Sequence, residues 1–198
     1  MFVGSVLYVN GLWLLGLIDA RSAAVFNLLI GALEVVAGVY LTVTADSHDQ
    51  VFIASSIFLF AFTYLYVGVT TLADHSPSGL GWYCSWVAVM ALAYSAAQFG
   101  HFHDPIFGMM WLSWAFLWAV FYALLALGWQ RLTRFAGWLA LIESWITCAI
   151  PGFLILGGWW HRVSTGWAVA AAVAMVLVLA VIAVRTTGQA PSPQPGSG

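Results

Sequence analysis

The chain is 198 residues long, 63% hydrophobic and only 6% charged, with a mean hydropathy of +0.97. A soluble domain of this size carries more charge, so the composition points to an all-α polytopic membrane protein. A net charge of -2 with no basic patch argues against nucleic acid as a partner, and the absence of lysine excludes a retinal Schiff base.

Seven hydrophobic segments follow one another, at 1–18, 22–44, 51–72, 80–100, 105–127, 135–159 and 166–184. Short polar breaks separate them, and a Pro-, Ser- and Gly-rich tail, 186–198, reads as disordered. The breaks after segments 1, 3, 5 and 7 together hold Arg21, Arg131, Arg134 and Arg185, whereas the breaks after segments 2, 4 and 6 hold only Arg162. The positive-inside rule then puts the N-terminus outside and the C-terminus in the cytoplasm.

Segment 1 is short for a span and carries Asn10 in its middle, either as helix–helix glue or as a polar group on a path. Segment 2 carries Asn27 and Glu34. Glu34 either lines a path or is protonated and hydrogen-bonded between helices or protomers, and the small residues around it favour the second. Segment 3 holds Phe60-Ala61-Phe62-Thr63-Tyr64-Leu65-Tyr66, in which Phe62 and Tyr66 share a face. Spacing alone leaves that stripe open between core and lining. The two cysteines, Cys84 in segment 4 and Cys148 in segment 6, lie in apolar runs and read as small core residues. Gln98 suits the interface at the end of segment 4.

Segment 5 repeats tryptophan on one helical face, at Trp111, Trp114 and Trp118. Segment 6 carries one mid-span acid, Glu143. Trp118 lies thirteen residues before Arg131 and Glu143 twelve after it. In an antiparallel hairpin both therefore sit about 20 Å from the turn. An acid at that depth faces a bundle interior or a water-filled path. Segment 7, from Trp167 to Val184, has no polar side chain and reads as a packing or lipid-facing helix. No HExxH, GxSxG or pair of intramembrane aspartates occurs, and His101-Phe102-His103 has no further ligands beside it, so no enzyme, metal or cofactor is expected.

Six stretches in order, VLYVNG (6–11), SAAVFN (22–27), FTYLY (62–66), GLGWY (79–83), WLSWAFLW (111–118) and GWLALIE (137–143), resemble the AmiS/UreI family of urea and short-chain amide channels. The resemblance implies a multi-pass protein of the bacterial cytoplasmic (inner) membrane. It implies a six-helix channel bundle over 1–160, here followed by an additional helix at 161–185, and a homohexamer with lipid at its centre. It places the lining on Val3, Leu7, Asn10, Phe62, Tyr66, Trp111, Trp114, Trp118 and Glu143. The implied function is passive permeation of urea or short-chain aliphatic amides, with proton-coupled transport through Glu143 and Glu34 as the alternative. Proton-gated urea channels of this kind carry a long, histidine-rich outer loop between their second and third spans. Here that break is only Ala45 to Gln50, so flux is expected to vary little between pH 5 and 7.5.

Overall fold

The computed structural model describes residues 1–186; of the expected disordered tail, 186–198, Thr186 instead ends a helix and the rest lies outside the described residues. Every regular element among them is helical. The helices are α1 (Phe2–Leu14), α2 (Ala20–Val43), α3 (His48–Leu72), α4 (Ser78–Gly100) and α5 (Pro105–Leu125). After a single turn at Gln130–Leu132 come α6 (Thr133–Glu143), a π-helical stretch (Ser144–Ala149), α7 (Ile150–Leu156) and α8 (Thr165–Thr186).

Side-chain caps fix where several helices begin. Asp19 accepts from the Ser22 amide at 2.9 Å, and Ser47 from the Gln50 amide at 3.2 Å. Asp104 accepts from the amides of Ile106 and Phe107, with Pro105 at the first helical position. Each cap occupies a backbone donor that would otherwise have no partner where the helix starts. Hydrogen bonds from Ser22 hold the exposed Asp19 carboxyl below its usual range.

The helices assemble as antiparallel pairs joined at glycines. In lipid there is no hydrophobic gain from bringing two apolar helices together, so close van der Waals approach at small residues carries the association. A Cβ added at Gly31 of α2 would meet Leu65 and the Ala61 carbonyl, and one at Gly68 of α3 would meet Leu28 and the Ala24 carbonyl. In the α4–α5 pair, Gly108 packs under Phe99, and Ser95 Oγ donates to the Gly108 carbonyl at 2.8 Å. Helix α1 runs antiparallel to α6 and the π-helical stretch. A Cβ at Gly4 would lie 2.6 Å from the Ser144 carbonyl oxygen, and one at Gly11 would lie 2.9 Å from that of Gly137. The bundle thus has two ends, one holding Met1 and the other Asp19.

Six helical runs among the described residues are long and apolar enough to cross a membrane: α2, α3, α4, α5, the continuous run Gln130–Leu156, and α8. Seven were expected. The difference is α1, whose 13 residues rise about 20 Å against a hydrocarbon thickness of about 30 Å. Helix α8 rests on α5 and α6 through Met175 and Leu179 and turns most of its surface outward.

The packing of α1 gives a stability prediction. Gly11→Val would drive methyl groups against backbone atoms of Gly137 and Leu141, where overpacking costs about 1–3 kcal/mol. The melting temperature of the detergent-solubilised protein should fall. Gly100→Ala, where nothing lies within 4 Å of the added carbon, should leave it unchanged. Identical melting of both variants and wild type would contradict the α1–α6 contact.

Candidate functional site

The three tryptophans of α5 are buried, and Phe60 of α3 touches all of them. Its ring centroid lies 5.6 Å from Trp111, 5.1 Å from Trp114 and 4.8 Å from Trp118. Trp111 and Trp114 meet edge to face at 5.0 Å, and Tyr94 of α4 stacks on Trp111 at 4.7 Å. These are favoured geometries for aromatic pairs, each contributing about 0.5–1.5 kcal/mol beyond area burial. The rings form a neck at mid-depth in the bundle.

A cavity lies on each side of the neck. The one toward the Met1 end has a volume of about 520 Å³ and is walled by Val3, Glu34, Phe60, Gln98, Trp111 and Trp114 among others. That is the size of a small-molecule site. The one toward the Asp19 end holds about 90 Å³, room for a few waters, and is walled by Leu7, Asn10, Thr63, Tyr64, Leu117 and Trp118 among others. The two share no wall residue, so the aromatic neck separates them.

Hydrogen bonds lock several of the polar groups around the neck. Trp114 Nε1 donates to Thr147 Oγ1 at 2.9 Å, and Thr147 in turn donates to the Glu143 carbonyl at 2.7 Å. The indole N–H is thereby satisfied inside the wall. Thr147 sits in the π-helical stretch, a local widening that often marks functional sites. Asn10 and Asn27 exchange reciprocal amide hydrogen bonds at 3.0 and 2.6 Å, and Asn27 also donates to the Ala23 carbonyl at 2.8 Å. Asn10 is therefore both glue between α1 and α2 and a wall residue of the smaller cavity.

Six of the nine residues expected to line a path border these two cavities. Val3, Trp111 and Trp114 border the larger cavity, and Leu7, Asn10 and Trp118 the smaller. Phe62 and Tyr66 border neither; they are 49% and 40% exposed on the outer side of α3. Phe62 stacks on Phe58 with centroids 5.8 Å apart, and the Tyr66 hydroxyl lies against Gly79. The inward pair on α3 is Phe60 and Tyr64. The stretch FAFTYLY contains two aromatic pairs at the same four-residue spacing, two residues and so roughly 200° apart, and spacing cannot choose between them.

Glu143 also departs from the expectation. It is fully buried, but on the far side of α5 from the two cavities. Its Oε1 accepts from Ser113 Oγ at 2.6 Å, and it borders a third, apolar cavity of about 480 Å³ between α5, α6 and α8. Ser113 is one residue from Trp114, about 100° around the helix from the tryptophan face, and it draws the carboxyl with it. Glu34 and Gln98, read from sequence as packing and interface residues, instead border the larger cavity. For Glu34 the signal was present in the buried stripe Asn27, Gly31, Glu34, Gly38, which recurs at helical spacing and therefore faces the bundle interior.

Residues 1–159 match the model of the AmiS/UreI family transporter. A Rhodococcus erythropolis protein provisionally described as transporter protein AmiS2 is 45% identical over 199 residues, covering 98% of this chain and 96% of the relative. A Mycolicibacterium smegmatis protein, provisionally described as an amidate substrates transporter, is 40% identical, covering 95% of this chain and 87% of the relative. The crystal structure of the Helicobacter pylori urea channel superposes with a TM-score of 0.69 at 27% identity, covering 78% of this chain and 93% of that one. The chain belongs to the AmiS/UreI family of transporters.

Proposed function

We propose that this protein is a passive channel for small neutral amides such as urea and acetamide, with the path running from the larger cavity through the Phe60–indole neck to the smaller one. The observation that carries this reading is the alignment of two cavities on opposite sides of one aromatic neck. A slot walled by flat rings admits a planar neutral solute and opposes hydrated ions, which would have to shed water against apolar surface. Sparse polar groups suit conduction, because many strong contacts would trap the solute. Relatives described as an amidate transporter and as urea channels support that solute class.

The same proposal carries topology and assembly. Residues 1–160 form the conducting bundle and α8 is an accessory helix. With α1 completing the bundle, the chain crosses the inner membrane seven times. The Met1 end faces out, and the arginines after segments 1, 5 and 7 face the cytoplasm. The functional unit is a homohexamer with lipid at its centre.

Proton-coupled amide transport is the competing reading, and one observation favours it: Glu34 is a buried carboxyl bordering the larger cavity. Uptake of urea, acetamide and butyramide into sealed proteoliposomes, with and without an imposed pH gradient, separates the two. The channel reading expects flux that stops at equilibrium with the gradient present; accumulation above equilibrium would establish coupling instead. The Helicobacter pylori relatives are described as acid-activated. Here the connections at the Met1 end are short, and their one ion pair, His101 Nε2 to Asp49 Oδ1 at 2.9 Å, is exposed. Exposed pairs contribute about 0–1 kcal/mol, whereas a full gate needs about 5. Flux should therefore change less than about fivefold between pH 5 and 7.5, and a steep rise below pH 6 would contradict this.

The neck itself makes a second prediction. Trp118 is 2% exposed, touches Phe60 and borders the smaller cavity. Trp118→Ala should widen the slot and raise butyramide flux relative to urea. Unchanged flux ratios in proteoliposomes would place Trp118 in passive core packing.

A further inference from the structure

The hydroxyls bordering the larger cavity are already committed within the protein. Ser56 Oγ donates to the Ile53 carbonyl at 2.6 Å. The Tyr94 hydroxyl pairs with Ser55 Oγ at 2.7 Å and with the Phe52 carbonyl at 3.1 Å. Thr147 is occupied by Trp114 and Glu143. Glu34 differs: it is 6% exposed, borders the cavity, and neither of its carboxyl oxygens has a hydrogen-bond partner among the described residues. Its depth follows from the α2–α3 contacts. Gly31 packs at Ala61 and Leu65, and Gly38 at Phe58, so Glu34 lies between those levels, beside Phe60 and the neck.

An unpaired buried acceptor is costly to keep, so a group held this way points to a partner that arrives from outside. We infer that Glu34 is a recognition residue for the primary-amide NH2 group, accepting a hydrogen bond from the solute at the deep end of the larger cavity. The inference rests on the amide-channel reading. A solute entering the neck must give up the waters on its N–H groups, and a donor left bare there opposes entry. An acceptor just short of the rings replaces one of those waters before the solute is stripped. The wall then distinguishes molecules that present an N–H group from those that present none, independently of the slot's limit on size.

Propionamide and N,N-dimethylformamide test this directly, because they are isomers. The first presents two N–H groups; the second presents none. Flux of each is measured in proteoliposomes, with protein-free liposomes subtracted. Wild type should favour propionamide by about fivefold, the order expected for one net hydrogen bond. Glu34→Gln keeps an acceptor oxygen and should keep that ratio, while Glu34→Leu should bring it close to one. If the leucine variant fails to assemble, Glu34→Ala gives the same readout at a helix position already near Ala32 and Ala37. A wild-type ratio in the apolar variants, or no preference in wild type, would overturn the inference. A glutamine variant as indiscriminate as the leucine one would also overturn it, since charge rather than an acceptor would then be the requirement. A wild type that passes neither isomer nor urea would instead bring down the channel reading itself.

Discussion

Phe60 packed against the three indoles of α5 is the contact on which the rest of the structure depends. Four large rings meet at mid-depth and leave space above and below but little between them. Rings suit such a contact because they are rigid, with few rotamers to lose, and present broad apolar faces. Their polar edges need partners, and the π-helical stretch supplies one by placing Thr147 beneath the Trp114 N–H. The neck is therefore a composite of α3, α5 and the widened turn that follows Glu143.

The surrounding bundle keeps those rings in register by close backbone contact. Gly4 and Gly11 seat α1 on α6 and the π-helical stretch, Gly31 and Gly68 join α2 to α3, and Gly108 joins α5 to α4. The Asn10–Asn27 pair adds a directional tie between α1 and α2, which matters more in an apolar medium than another methyl contact. Helix α1 is short, yet it contributes wall residues to both cavities, Val3 to the larger and Leu7 and Asn10 to the smaller. The Ser113–Glu143 bond lies behind the neck, beneath α8, and braces α5 against α6.

Much of this was legible in the sequence, for identifiable reasons. Long apolar runs fix the helical spans, and the spacing of Trp111, Trp114 and Trp118 fixes one inward face, because three large residues at helical spacing admit a single orientation. The α3 face was not legible, since FAFTYLY offers two aromatic pairs at equal spacing and only packing against α5 selects Phe60 and Tyr64. Depth arguments located Glu143 at the level of the rings but carry no information about azimuth, and Ser113 turns it to the far side of α5. The π-helical stretch left only Pro151 as a trace, a residue without an N–H just beyond the irregular turn. Glu34 was read as packing because its neighbours are small. The same small residues mark the face that looks inward.

The central claim is that solute passes between α1, α3 and α5, along the Phe60 side of α3 and not the Phe62 side. Adjacent positions separate the two, because Thr63 borders the smaller cavity whereas Phe62 lies on the outer surface. In a background with Cys84→Ala and Cys148→Ala, single Thr63→Cys and Phe62→Cys variants would be treated with a small methanethiosulfonate reagent and assayed for urea flux in proteoliposomes. The account predicts that modification at Thr63→Cys blocks flux and modification at Phe62→Cys leaves it unchanged; block at Phe62→Cys with free flux at Thr63→Cys would contradict it.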